Sequence, residues 1–198
     1  MNISFTGKIP LYQTKVLDKS DGFYKDAKIY ELDCKDDSDS DYVVYQTGDW
    51  GSLKTCISSD LYKKIKDIKN CLEQPPSMPV SKFYTIEVED GKSIGLMETA
   101  SIASYTGIRF LECNPDKNYK YAGQVMLASL AKSMEKNNDS LIFINDPADS
   151  ARSFYTDKCG FTPLNKDSRE LKMDCRDMQT FIKNVEEKTH QPILDISV

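Results

Sequence analysis

Hydrophobic and polar positions alternate or recur along most of the chain, and their period predicts its elements. Residues 9–33 read as a β-hairpin, with Val16-Leu17 and Ala27–Leu32 flanking the turn Asp18-Lys19-Ser20-Asp21-Gly22. After Ser59, a helix cap, Leu61, Ile65, Ile68 and Leu72 share one helical face, with Lys63, Lys64, Lys66 and Lys69 opposite. Pro75, Pro76 and Pro79 make residues 73–79 a linker. Phe83–Asp90 and Ser93–Ser101 read as strands joined at Asp90-Gly91, and Ile108–Cys113 extends them into an antiparallel meander.

The stretch Tyr119–Gln124 opens a helix running to about Lys136, with Ala122, Met126, Leu127, Leu130, Ala131 and Met134 on its apolar face. Gln124, Ser129, Lys132 and Glu135 are expected to face away. Leu141–Ile144 is apolar throughout, as in a strand buried on both faces. Strand, helix, strand predicts a crossover to a parallel neighbour. Asp146 reads as the cap of a short helix with Pro147 at its first position, and Gly160 stops that helix. Phe161–Leu164 and Glu170–Met173 are short strands, and Met178, Phe181, Ile182 and Val185 mark a last helix. The expected organisation is an α/β (α+β) mixed sheet in three parts. Residues 1–79 form an N-terminal lobe, part of the same domain or a substrate-side extension; 80–188 form the core; 189–198 form a tail.

Composition narrows the function. A net charge of −5 and a pI near 5.0 disfavour nucleic acid as the main partner. No apolar run approaches the roughly 20 residues of a membrane helix, and Met1–Phe5 shows no signal peptide. The six cysteines form no C-x-x-C pair, and His190 is the only histidine, so no metal is expected. These features fit a cytoplasmic protein with reduced thiols. In the acidic run Asp33–Asp41, Asp37, Asp39 and Asp41 resemble a calcium loop in spacing, but Tyr42 and Gly48 stand where glycine and glutamate are needed, so a solvated loop with a helix cap is expected. Trp50 reads as a packing anchor or a pocket wall.

Helix N-termini bind phosphate through unpaired N–H groups. Gly123 either permits close backbone approach or simply packs on the sheet, and Lys120 adds a charge. No Walker or G-x-G-x-x-G loop is present. Two motifs carry a family resemblance. Asn118-Tyr119-Lys120-Tyr121-Ala122-Gly123 stands where a Q/R-x-x-G-x-G/A loop would precede a Leu-rich helix, and Ala151–Phe161 fits A-x-x-F-Y-x-x-x-G-F in full. The chain thus resembles the GNAT superfamily of acyl-CoA N-acyltransferases over residues 108–164. Asn118 replaces the family's Gln or Arg, Tyr121 its first glycine, and Ala148 a common asparagine, for which Asn145 is a nearby substitute.

The resemblance implies a GNAT-like fold with an N-terminal extension and acetyl-CoA as co-substrate. It places the pantetheine arm along Leu111, Glu112 and Cys113, and the pyrophosphate at Asn118–Gln124. It implies transfer of an acetyl group to a small-molecule or peptide amine by direct attack on the thioester, with Tyr155 protonating the leaving thiolate. The alternative is a non-catalytic CoA sensor or protein-interaction module. Glu112 and Glu98 interrupt apolar strands and are candidates for the base, or else sheet-surface carboxylates facing water. Cys113 reads as a core thiol, and monomer and homodimer both stay open.

Overall fold

The computed structural model describes residues 7–32, 39, 41, 42, 80–114 and 118–197. The helix expected after Ser59, the linker at 73–79 and Trp50 lie outside them.

Alternation builds the first hairpin. In β1 (Ile9–Asp18), Tyr12, Thr14, Val16 and Asp18 are buried in turn; in β2 (Tyr24–Leu32), Ala27, Ile29 and Leu32 are. Gly22, at φ 77°, supplies the left-handed turn residue. β3 (Val80–Val88), β4 (Ser93–Ile102) and β5 (Tyr105–Cys113) continue the meander. Next come β6 (Tyr119–Lys120), α1 (Ala122–Asn137) and β7 (Leu141–Ile144). Helix α2 (Asp149–Ser153) runs into a π-helical turn, Phe154–Lys158. β8 (Thr162–Pro163), β9 (Leu171–Asp174), α3 (Cys175–Thr189) and β10 (Leu194–Asp195) complete the described chain.

One sheet runs β10-β1-β2-β3-β4-β5-β7-β9-β8, with β6 also on β1. The hairpin and the last residues therefore add strands to the same sheet as the core. Among the described strands only β5 and β7 pair in parallel, across α1, as the strand–helix–strand pattern requires. The main core lies on one face, where Val16, Ile29, Ile86, Met97 and Ile142 meet α1 and α3. Phe83, Leu96 and Phe110 lie on the other, with the rings of Phe83 and Phe110 6.2 Å apart.

Several expectations change. Tyr119-Lys120 does not begin the helix; it pairs as a strand with Leu17 and Asp18. Gln124 and Ser129 do not face solvent (8% and 2% exposed), because the first turns of α1 are covered on all sides. In β7 only Ile142 and Ile144 are fully buried. Asp146 does not cap α2: it sits at φ 47°, its carboxylate is held by Arg169, and Ala148 takes the cap position. Pro147 consequently precedes the helix. Asp39 is 1% exposed and residues 39, 41 and 42 are helical, so the acidic run is not wholly a solvated loop.

Gly107 lies opposite Phe143, and a β-carbon there would sit 2.7 Å from that ring. Gly107→Ala is therefore expected to destabilise the fold by about 1–3 kcal/mol, the usual penalty for overpacking. Phe143→Leu in the same chain should recover most of the loss. Urea unfolding of the single and double variants measures both.

Candidate active site

The site grows from one irregularity. β5 pairs with β7 only from Tyr105 to Ile108, because β7 ends at Ile144. β5 runs on to Cys113, and no described strand takes over its β7 side. On the β4 side the register slips at the same place: Thr99 lies opposite Ile108 and Glu98 opposite Phe110, so Arg109 is the extra residue of a bulge. The sheet thus opens where the strand is kinked.

The bulge settles which way the two glutamates point. Beyond it, Glu98 opposes Phe110 and Leu96 opposes Glu112. Partners across a ladder share a face, as do alternate residues of a strand. Glu98 and Glu112 therefore project together from the face opposite α1. Glu98 is almost fully buried and is paired with Arg109 at 3.1 Å. It does not face water. Glu112 is half-buried. Leu111 and Cys113 point the other way, toward the start of α1.

Helix α1 begins beyond the opening. Tyr121 takes its cap position in the left-handed region, at φ 76° and ψ −4°, where a residue without a β-carbon is favoured. Its carbonyl accepts from the Val125 N–H at 2.8 Å, and the Lys120 ammonium lies 4.9 Å from its ring centroid. Asn118 is exposed, and its carbonyl accepts from the Lys19 N–H at 2.7 Å, tying the loop to the β1–β2 turn. Among the described residues the Ala122 and Gln124 amides have no acceptor. Both are available to an anion. A β-carbon on Gly123 would lie 3.1 Å from Phe154 and 3.3 Å from the Cys113 sulfur, so α1 packs closely at this glycine.

Tyr155 enters from the π-helical turn, a distortion that recurs at functional sites. Its ring lies edge-on to Phe154 (5.1 Å) and Phe161 (5.8 Å). Gln124 ties the turn to α1, its amide donating to the Lys158 carbonyl at 2.9 Å. Burial raises the Tyr155 phenol above its ordinary range, and the nearby Cys159, Glu112 and Cys113 add to the rise. Tyr155 is thus near enough to Glu112 and Cys113 to feel their charges. Asn145 is exposed, just past the end of β7. Arg109 was missed from the sequence; its one signal was a charge inside an apolar strand.

Cys113 is exposed as a residue, but its sulfur turns under α1. Burial pushes the thiol up to about 12, the Glu112 charge adds to this, and a hydrogen bond from Gly123 opposes it. A thiol so protonated is no nucleophile. Among the described residues no cluster of side chains fits a metal ion, and no helix is long and apolar enough to cross a membrane.

No protein-family model and no curated protein matches the chain. Solved structures do. The PaiA N-acetyltransferase of Thermoplasma acidophilum, in complex with coenzyme A, is 19% identical over 75% of this chain and 97% of its own, with a TM-score of 0.52. A GNAT-family acetyltransferase of Staphylococcus aureus Mu50 is 13% identical over 75% and 99%, with a TM-score of 0.54. A chimera of the Vibrio cholerae spermidine N-acetyltransferase SpeG and hSSAT is 10% identical over 77% and 98%, with a TM-score of 0.52. The chain has the fold of the GNAT acetyltransferases.

The thiols give a test. The Cys113 and Cys159 pKa values are raised to about 12, so the native state holds these protons more tightly than the unfolded chain. Their stabilisation is complete below the ordinary thiol value of 9.0 and is lost as pH rises toward about 12. Iodoacetamide at pH 8 is expected to label Cys175 well before Cys113 or Cys159. Peptide mapping that finds Cys113 labelled as fast as Cys175 would contradict the buried thiol.

Proposed function

We propose that this chain is an acetyl-CoA-dependent N-acetyltransferase acting on an amine. The observation that carries the reading is the opening itself: β5 leaves β7 after Ile108, α1 starts beyond it with two amides free among the described residues, and Tyr155 and Glu112 lie beside it. Acetyl-CoA enters as a substrate. Its pyrophosphate fits the Ala122 and Gln124 amides, with Lys120 beside them, and its pantetheine arm fits along Leu111–Cys113, the strand segment β7 leaves uncovered.

The acceptor reaches the thioester from the opposite face, where Glu112 projects. The amine nitrogen bonds to the thioester carbonyl carbon, the carbon–sulfur bond breaks, and Glu112 takes the proton that nitrogen loses. The departing sulfur takes its proton from the Tyr155 hydroxyl. A phenol kept protonated by burial retains that proton at neutral pH.

Tyr155→Phe removes only the hydroxyl. It is expected to leave melting temperature and acetyl-CoA affinity nearly unchanged and to lower kcat by about 10²-fold, the lower range for a lost acid catalyst. Normal turnover would return Tyr155 to the core.

Glu112 and Glu98 separate in the same assay. Glu112→Gln should lower kcat/KM by about 10²-fold or more with little change in stability. Glu98→Gln should act chiefly on stability, because it breaks the pair with Arg109.

Two observations favour a second reading, a non-catalytic CoA-binding module: Tyr121 occupies a left-handed position suited to glycine, and the Gly123 N–H is already engaged by Cys113. Calorimetry with acetyl-CoA together with thiol release across an amine library decides between them. Tight binding without turnover on any amine selects the module.

A further inference from the structure

The sheet face opposite α1 carries a feature that the transfer chemistry leaves unused. Asp26, Lys28 and Tyr30 alternate along β2 with Ala27 and Ile29, which belong to the core on the other face. Glu87 alternates in the same way with Ile86 and Val88, and the ladders align Gln13, Lys28 and Glu87 in one row. A cavity of about 350 Å³ lies on this face, and Gln13, Asp26, Lys28, Tyr30, Glu87 and Glu89 line it.

Glu87 is the most buried carboxylate of the lining, at 6% exposure. Its partners meet a single oxygen. The Lys8 ammonium lies 2.7 Å from Oε1, and the Tyr42 hydroxyl donates to the same atom. Among the described residues Oε2 has no donor, and it is not sealed from solvent. It is the oxygen left for the cavity. The Lys8 ammonium also lies 5.1 Å from the ring centroid of Tyr30 and 4.5 Å from that of Tyr42. Two rings and a carboxylate thus already hold one ammonium, the ring faces adding to the ion pair. Tyr30 and Glu87 belong both to this cage and to the cavity wall.

The rest of the lining is acidic as well. Glu89 lies two residues beyond Glu87, and Asp26 lies diagonally across the ladder from it, each roughly 7 Å away. Glu89 is exposed and, among the described residues, makes no ion pair. Asp26 has only Lys15, at 3.8 Å and part-exposed, a weak pair. Lys28, the one lysine of the lining, pairs with none of the three carboxylates. Carboxylates so spaced do not converge on a metal ion, and no cluster among the described residues fits one. They suit a longer cation with a positive charge at each end.

We infer that this cavity binds an aliphatic diamine. One ammonium sits on Glu87 Oε2 beside the Tyr30 ring, and the other sits between Asp26 and Glu89. The site is distinct from the opening between β5 and β7, because β4 stands between them in the sheet, and it does not rest on the acetyltransferase reading.

Calorimetry on the whole chain at low salt, without acetyl-CoA, tests this with putrescine, n-butylamine and succinate. Putrescine should bind saturably and succinate should not. Butylamine lacks the second ammonium and should bind about threefold more weakly or worse. Glu87→Gln should weaken putrescine by about tenfold or more, the effect of losing a hydrogen bond to a charged group. That change also breaks the pair with Lys8, so Glu89→Gln, at an exposed and unpaired position, gives a check that spares the fold. It should weaken putrescine about threefold and leave butylamine unchanged. The inference is overturned by the absence of saturable putrescine binding, by butylamine or succinate binding as tightly as putrescine, or by unchanged putrescine affinity in both Glu89→Gln and Asp26→Asn.

Discussion

Everything at the site depends on the four-residue ladder between β5 and β7. A longer β7 would cover the whole edge of β5 and close the sheet. It stops at Ile144 because Asn145 and Asp146 turn away, Asp146 at positive φ with its carboxylate held by Arg169. Within the ladder, Gly107 leaves space for the Phe143 ring. The parallel pair is thus short and tightly packed, and it ends abruptly. The Arg109 bulge follows immediately and bends β5 away.

The opening is held in shape from both faces by different forces. On the helix face the constraint is packing: Gly123 lets α1 settle against Phe154 and Cys113, and Gln124 anchors the π-helical turn that carries Tyr155. On the opposite face it is electrostatic. Glu98 is held by Arg109, and Glu87 by Lys8 and the Tyr42 hydroxyl, because a buried carboxylate must be paired. Tyr42 belongs to the short described stretch between β2 and β3, so this network ties that stretch to the sheet. Its own phenol is raised by burial and by the Glu87 charge.

Helix α1 shows how a local rule can be overridden. The left-handed position before it holds Tyr121, whose ring packs on the core and against Lys120. Those contacts offset a backbone conformation that costs about 1–2 kcal/mol for a residue with a β-carbon. Tyr119-Lys120, whose letters continue into the helix, instead borrows hydrogen bonds from the outer edge of β1. That edge is shared with β10, so two distant segments finish one strand.

What the sequence determined is what short-range physics decides. Alternation along residues 9–32, the turn glycines Gly22 and Gly91, the apolar stripe of Met178, Phe181, Ile182 and Val185, and the Gly160 stop each follow from side-chain period or φ preference within a few residues. The Ala151–Phe161 motif singled out Tyr155 by resemblance to a family pattern, not by period. Tertiary structure alone decided the rest. Whether Glu98 and Glu112 share a face depends on one extra residue in β5, and that is a property of cross-strand register that no single strand encodes. How closely α1 packs at Gly123 depends on Phe154, far along the chain. Asp146 has the letters of a cap, and Arg169, more than twenty residues on, takes its carboxylate away. A local pattern states what a segment can do; long-range partners choose among those options, because one buried charge or one excluded β-carbon outweighs a cap or a helix preference.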